Sequence, residues 1–278
     1  MRLWLVVAAI ITATGAVSAS AALADSTSSS NWAGYAVHRH GVSFRSVTGT
    51  WRQPKVRCVP GNATYSAFWV GLGGYSLNAP ALEQTGTEVD CSANGRMVSS
   101  AWYELVPGPS MPIRLNVPPG DRVRATVTVA AHRATIRLED LTRHRSFHKT
   151  VFAPRIDVSS AEWIVEAPSE CVSAASCQTL PLANFASTRF RAASVRATTG
   201  HAGTISDPAW GWTRITLTPG GRRFALNGRD RASAVAAHPS SLLSRGSAFA
   251  VNYQSMPMPA AAAAGAQPAS VRAGQLFH

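Results

Sequence analysis

The chain of 278 residues is poor in carboxylates and nearly free of lysine. It has 14 Asp and Glu residues against 26 Lys and Arg residues, and the only lysines are Lys55 and Lys149. The net charge of +12 raises the question of nucleic acid. The arginines are scattered along strand-like segments, however, and no helix-turn-helix or RNP-like pattern occurs, so we expect no nucleic-acid partner. Having few carboxylates also limits the native ion pairing that is lost in acid, which suits an acidic medium.

Several familiar catalytic motifs are missing. The sequence has no Gly-x-Ser-x-Gly, no His-Glu-x-x-His and no Walker loop. The glycine-rich residues 71–74 follow an aromatic strand-like segment and precede no helix, which argues against a nucleotide cradle. His38 and His40 could share one side of a strand, but no third ligand accompanies them, so we expect neither metal nor cofactor. A Ser-His-Asp triad stays open, because its members need not be neighbours in sequence.

Long apolar runs are also missing. The only candidate lies at the amino terminus, where Arg2 precedes the apolar residues 3–11 and a series of small residues ending at Ala24. This layout predicts a secretory signal peptide over residues 1–24. Its apolar part is shorter than the roughly 20 residues that span a bilayer. We therefore expect a secreted, extracellular protein without membrane association once the signal is removed.

The cysteines are few and even in number: Cys58, Cys91, Cys171 and Cys177. In an exported chain this favours disulfides over free thiols. Four cysteines permit three pairings. We favour the one in which Cys171 and Cys177 close a small loop and Cys58 pairs with Cys91. No Cys-x-x-Cys occurs, so a zinc ribbon or a thioredoxin-like site has no support.

The hydrophobic periodicity is that of β-strands. Residues 122–129 alternate polar and apolar side chains, and residues 134–138 repeat the alternation after a short break, which predicts a hairpin with one buried face. No long stretch shows helical spacing. Many short strands predict an antiparallel sandwich or barrel. Between Pro- and Gly-rich turns, further strand-like segments lie at 47–51, 66–70, 98–105, 163–166, 213–217, 223–226 and 248–253.

The mature chain is interpreted as one domain. It covers residues 25–255 and follows the signal peptide. From residue 256 the sequence becomes Pro- and Ala-rich, and we expect a disordered tail over residues 256–278. We expect the protein to be a monomer.

Half of the scarce carboxylates fall in two short blocks close to tryptophan residues, at 83–104 and 162–170. A chain poor in carboxylates that concentrates them in this way is a candidate for an acid–base site. The members of the two blocks are Glu83, Glu88, Asp90, Glu104, Glu162, Glu166 and Glu170.

Several segments together carry a family resemblance. They are FWVGLGG at 68–74 with LEQTGTE at 82–88, AWYELVP at 101–107, and AEWIVEAP at 161–168. With SNWAGY at 30–35 and the small cysteine loop, their order and spacing resemble the eqolisins, the glutamic peptidase family G1, over about residues 30–253. The resemblance implies a sandwich of two antiparallel sheets of the concanavalin A-like, jelly-roll type. It also implies an acid endopeptidase that hydrolyses protein or peptide substrates without metal or cofactor.

The resemblance implies roles for individual residues as well. The family's catalytic glutamine, in its Leu-x-Gln-x-Gly segment, falls on Gln84, and its catalytic glutamate falls on Glu166. One position departs from the fungal members, whose aspartate in Val-Gly-Ile-Asp-Gly corresponds to Gly73. The departure concerns the network around the pair more than the pair itself. Residues implied to support the site or to bind substrate are Trp69, Glu88, Trp102 and Glu104.

These residue types suit hydrolysis in acid. Glu166 can activate water when ionised and then return the proton to the leaving nitrogen. The Gln84 amide does not titrate and remains a donor to an oxyanion at any pH, whereas a histidine base would be protonated. On a strand Glu162 and Glu166 share one face, and so do Trp102 and Glu104. If these faces line one groove, Glu166 is partly withdrawn from solvent.

Three other interpretations stay open. A noncatalytic carbohydrate-binding β-sandwich would use exposed tryptophans, and a glycosidase could use Glu104 and Glu166 as its paired carboxylates. A structural or inhibitory secreted sandwich would be insensitive to changes at either member of the proposed pair. Gln84 discriminates among them, because a peptidase requires it whereas a sugar-binding protein or a glycosidase should tolerate its loss.

Overall fold

The computed structural model describes residues 24–76, 79, 81–173, 176–221, 224, 235–255 and 275–277. In these ranges the regular elements are all β-strands, so no helix there is long and apolar enough to cross a membrane. The strands are β1 Ala24–Ser29, β2 Trp32–His38, β3 Phe44–Arg52, β4 Ala67–Gly73, β5 Leu82–Cys91, β6 Met97–Val106, β7 Met111–Pro112, β8 Arg122–Ala130, β9 Arg133–Asp140, β10 Arg145–Phe152, β11 Ser160–Glu166, β12 Ser169–Ser173, β13 Ser176–Thr179, β14 Ser187–Ala197, β15 Ala202–Gly203, β16 Gly211–Leu217, β17 Val235–Pro239, β18 Phe249–Ser255 and β19 Gln275–Phe277.

Strand β14 joins the two layers of the fold. Its later residues, from Arg191 onward, pair with β3, whereas residues 187–190 pair with β18. The first layer has the order β10-β9-β8-β3-β14, and the second continues as β18-β17-β16-β2-β11-β4-β5-β6-β7. The main hydrophobic core lies between the layers and includes Trp51, Trp163 and Phe190. The fold is therefore the predicted all-β sandwich.

The predicted hairpin is formed by β8 and β9, which pair along their whole length. Val127 and Ile136 lie opposite each other and are buried in the main core, while the intervening arginines are exposed. This is the alternation that the sequence shows. The other predicted segments coincide with β3, β4, β6, β11, β16 and β18, apart from 223–226, most of which lies outside the described residues.

Two pairings were not predicted. β1 runs parallel to β16, with Ala24 opposite Trp212, although the expected sheets were antiparallel. β19 pairs with β12 in a small sheet of order β13-β12-β19, so residues 275–277 of the expected disordered tail form a strand. The rest of that tail, and residues 1–23 of the predicted signal peptide, lie outside the described residues.

The favoured disulfide pairing is confirmed. Cys58–Cys91 ties the segment before β4 to the end of β5, and Cys171–Cys177 closes the β12–β13 hairpin. The first bridge braces β5, which carries Gln84, whereas the second lies in the small separate sheet that follows β11.

Candidate active site

The predicted site residues lie on one face of four adjacent strands, which follow the order β11-β4-β5-β6. Residues that are opposite each other across a ladder point to the same face. This face is turned away from the main core and carries a smaller apolar cluster that includes Trp32, Trp69, Trp102 and Ile164. Three rows cross the four strands: Glu162, Gly71, Gln84, Glu104; then Ile164, Trp69, Gly86, Trp102; then Glu166, Ala67, Glu88, Ser100.

Gln84 is oriented by a carboxylate. Its Nε2 donates a hydrogen bond of 2.7 Å to Glu104 Oε2, and both side chains are completely buried. The nitrogen end of the amide thus faces Glu104, whose carboxyl oxygen accepts the hydrogen bond. The register explains the contact, since Gln84 and Glu104 are direct neighbours on β5 and β6.

Glu166 is held between two neutral donors. Trp69 Nε1 donates to its Oε2 at 2.8 Å, and Asn31 Nδ2 donates to its Oε1 at 3.1 Å. The side chain is completely buried. Hydrogen bonds to the ionised form stabilise it and offset part of the cost of removing the charge from water. The arrangement thus suits a carboxylate that acts as a base.

Asn31 was not predicted as a site residue. It lies between β1 and β2, and its Oδ1 accepts hydrogen bonds from Ser29 Oγ at 3.0 Å and from Phe224 N at 3.1 Å. Its Nδ2 lies 3.3 Å from Phe224 O as well as contacting Glu166. Asn31 belongs to the SNWAGY segment of the resemblance, but no local sequence feature predicts that a loop amide contacts a residue 135 positions away.

Aromatic rings pack over the same face. Phe224 stacks on Trp32 with ring centroids 4.9 Å apart, and Tyr75 stacks on Phe224 at 5.4 Å. Tyr75 also stacks on His38 at 4.6 Å. We call these four rings the aromatic cover. Gln84, on the same face of the sheet, is completely buried.

Glu88 and Trp102 lie on the same face as the pair. Glu88 Oε2 accepts a hydrogen bond of 2.8 Å from Ser100 Oγ. Trp102 packs in the smaller apolar cluster, level with Trp69. Their positions fit a supporting role around the site.

Gln84 and Glu166 are not level with each other across the sheet. Gln84 is opposite Gly71 on β4, whereas Glu166 is opposite Ala67. At about 3.3 Å per residue, the offset along the strand is roughly 13 Å. Two carboxyl groups are level with Gln84: that of Glu104 on β6, and that of Glu162 on β11, which is separated from Gln84 only by Gly71.

Glu162 and Glu83 keep their protons in acid. Burial, reinforced by the charge of nearby Asp157, raises the pKa of Glu83 to about 8. Backbone groups of Asp157 and Glu83 lower the pKa of Glu83. Their contacts with its carboxyl oxygens fall outside ordinary hydrogen-bond geometry. Burial raises the pKa of Glu162 well above its usual value. The hydroxyl group of Ser160 lowers this pKa, and the nearby carboxyl groups of Asp157 and Glu83 raise it. Both buried carboxyls are therefore neutral at low pH.

Gly73 cannot carry the aspartate of the fungal pattern. Its φ is +86°, and a Cβ there would lie 2.6 Å from Asp157 Cβ and 2.9 Å from Ala81 O. Asp157 itself supplies a carboxylate next to this turn, because its Oδ2 accepts a hydrogen bond of 3.3 Å from Gly74 N. The acidic group at this end of the sheet thus comes from the segment before β11.

We expect Gly73→Ala to destabilise the fold by more than about 2 kcal/mol, through positive-φ strain together with the steric overlap. Gly41→Ala is the matched control, because Gly41 has a φ of +77° and open space around its missing Cβ. It should cost only about 1 kcal/mol. Urea unfolding of both variants measures the difference, and equal losses would show that the contact with Asp157 is unimportant.

Comparisons with known proteins identify the family. Residues 30–219 match the model of the Peptidase A4 family. Since this is more than half of the chain, the protein belongs to that family, which is the eqolisin or glutamic peptidase family that the motifs resemble, and it is a glutamic-type endopeptidase. No curated protein sequence matches the chain.

Two solved structures share the fold. One is scytalido-glutamic peptidase with a transition state analog inhibitor, at 24% identity and a TM-score of 0.64, covering 81% of this chain and 98% of that one. The other is SCP-B, a member of the eqolisin family, in a complex with the tripeptide Ala-Ile-His, at 22% identity and a TM-score of 0.60, again covering 81% and 98%. These likenesses show a common sandwich architecture.

Proposed function

We propose that this glutamic peptidase cleaves polypeptides in acid with Gln84 and Glu166 as its catalytic pair. The observation that carries the proposal is the completely buried Glu166 carboxylate, held at one oxygen by Trp69 and at the other by Asn31. Donors that do not titrate hold this carboxyl group in one orientation at any pH, so it can take a proton from water whenever it is ionised. We further propose that the protein acts as a secreted monomer after removal of residues 1–24.

In the proposed reaction Glu166 acts first as the general base and then as the general acid. The ionised carboxylate takes a proton from water as the water oxygen bonds to the carbonyl carbon of the substrate. Because Gln84 and Glu166 are offset by roughly 13 Å along the strand, this step requires the two side chains to approach each other when the substrate binds. The same carboxyl then gives that proton to the amide nitrogen as the carbon–nitrogen bond breaks. Glu166 returns to its ionised form, so the cycle needs no other proton donor.

Gln84 stabilises the charge that develops on the carbonyl oxygen. Glu104 takes one N–H of the Gln84 amide and fixes its orientation. The carbonyl oxygen of a bound substrate would accept a hydrogen bond from the second N–H of the same nitrogen. Removing a donor of this kind typically lowers kcat by about 10²–10³. Glu104 is thus the positioning residue for Gln84.

Peptides are the substrates that the family implies. The related SCP-B was solved with a bound tripeptide, and the related scytalido-glutamic peptidase with a transition state analog inhibitor. We propose that an extended peptide lies across β11, β4 and β5 on the face that carries Gln84. Because Gln84 is completely buried, binding of the peptide requires side chains on this face to move.

The test is cleavage of an unfolded protein substrate between pH 2 and pH 8 by the wild type and by Gln84→Ala. We expect activity only in acid, resistance to metal chelators and serine reagents, and a loss of about 10²–10³ in the variant. Hydrolysis of polysaccharides is measured in parallel. A folded wild type that cleaves no protein at any pH would contradict the proposal. Polysaccharide hydrolysis that survives Gln84→Ala would instead establish a glycosidase.

A further inference from the structure

A second concave region lies on the first layer, away from the candidate active site. It is an open cleft of about 840 Å³, lined by residues of β3, β8, β14 and the segments next to them. It forms because β14 pairs with β3 only from Arg191 onward and turns to β18 over residues 187–190. The gap where the two strands separate has the size of an ordinary ligand site.

The lining of this cleft, which we call the arginine cleft, is strongly basic and contains no carboxylate. Like charges meet directly in it, because Arg52 is opposite Arg122 across the β3–β8 ladder. Like charges in that arrangement are destabilising. Arg124 and Arg191 flank Thr50 on its two sides. Its cationic residues are Arg52, Lys55, Arg122, Arg124, Arg189 and Arg191.

Little within the described part of the chain neutralises this charge. Arg124 Nη1 lies 3.9 Å from Glu139 Oε2, but Glu139 also pairs with Arg137 at 2.9 Å. Arg52 donates a hydrogen bond to a neutral acceptor, the carbonyl oxygen of Gly120. No other cation of the arginine cleft has an ion-pair partner among the described residues. All six cationic side chains are exposed, so they are accessible to an anion from solution.

We propose that the arginine cleft binds a linear polyanion whose charges are phosphate or sulfate groups. Guanidinium groups stay protonated at every working pH and bind tetrahedral oxyanions through paired N–H donors. Carboxylate ligands lose their charge below about pH 4, whereas phosphate and sulfate esters keep at least one negative charge. Several cations along one cleft match a chain of such groups better than a single ion.

The lining disfavours nucleic acid and membranes as the occupant. Binding of single-stranded nucleic acid draws much of its energy from bases stacked on aromatic rings. The one aromatic residue in the arginine cleft is Trp51, and it is 1% exposed. A membrane surface, in turn, is too broad to enter a concave gap between two strands. A soluble polymer chain fits both the shape and the charge.

The test measures binding of inorganic polyphosphate to the full-length protein by calorimetry over a series of salt concentrations. The cleft variant is Arg122→Ser with Arg191→Ser. The matched control is Arg45→Ser with Arg133→Ser, which removes two exposed arginines outside the cleft and leaves the same net charge. We expect the cleft variant to bind at least about 10-fold more weakly and its salt dependence to fall by about two phosphate contacts. The control should change affinity less than about 3-fold.

Three outcomes would overturn the proposal. An equal loss of affinity in the control variant would mean that net charge, and not the arginine cleft, determines binding. Tighter binding of single-stranded DNA with the same number of phosphates would mean that bases are recognised. Equal affinity for orthophosphate would mean a single-ion site. A sulfated oligosaccharide, tested alongside, distinguishes sulfate from phosphate as the source of the charges, and both variants should retain wild-type peptide cleavage.

Discussion

Glu166→Gln is expected to abolish peptide cleavage in acid, whereas Glu162→Gln should leave it nearly intact. Both residues are completely buried glutamates on the same face of β11, and both changes are isosteric. Only Glu166 has donors on both oxygens, from Trp69 and Asn31, that orient an ionised carboxylate. A glutamine there cannot take a proton from water, so kcat/KM should fall by at least about 10³.

Glu162 is a close control because it is neutral under the assay conditions. Its pKa is raised by burial, so in acid it is protonated and a glutamine replaces one neutral group by another. We expect kcat/KM within about threefold of the wild type. Initial rates on a fluorogenic peptide at low pH, with circular dichroism to verify folding, decide the matter. The reverse result would transfer the role of base to Glu162, the carboxyl level with Gln84 across Gly71.

The folded protein is expected to lose stability as the pH rises from about 4.5 to about 8. The pKa of Glu83 is raised from 4.5 in an unfolded chain to about 8 in the fold, chiefly by burial. A group whose pKa is raised on folding contributes its full stability below the unfolded value and loses it as the pH passes through the folded value. At about 1.4 kcal/mol per pKa unit, the loss for Glu83 is roughly 5 kcal/mol. Glu162 changes stability in the same direction.

Urea unfolding at pH 4, pH 6 and pH 8 measures this dependence. In Glu83→Gln the buried group cannot ionise, so the free energy of unfolding should change less over this interval than in the wild type. Glu170→Gln replaces a partly exposed glutamate of β12 and should keep the wild-type dependence. A wild-type free energy of unfolding that stays constant or increases from pH 4.5 to pH 8 would contradict the expectation.

The sequence was sufficient to predict about half of the strands and which of the site residues share a face of their strand. Alternation placed β8 and β9, and the period of two placed Glu162 and Glu166 on one face. Glycine- and proline-rich segments predicted the turns between strands, and the even number of cysteines predicted disulfides; both are local signals. The assignment of Gln84 and Glu166 as the catalytic pair came from the resemblance and stays a prediction.

What the sequence could not show depends on pairings between distant segments. The contact of Asn31 with Glu166 exists because β2 and β11 are neighbours, which no local pattern indicates. The level arrangement of Gln84 and Glu162 requires the register of three strands. The crowding of Gly73 against Asp157 likewise requires the loop before β11 to return to the end of β4.

The end of the amino-terminal strand β1 sets a limit on proteolytic maturation. Ser29 Oγ accepts hydrogen bonds from the backbone N–H of Asn31 at 3.1 Å and of Trp32 at 2.9 Å, while it donates to the Asn31 side chain. Asn31 in turn holds Glu166. A cut after Ala24 leaves this chain of contacts intact, whereas trimming past Ser29 would remove the anchor of the Asn31 amide. Removal of more than a few residues after Ala24 would therefore alter the hydrogen bonding of the Glu166 carboxyl group.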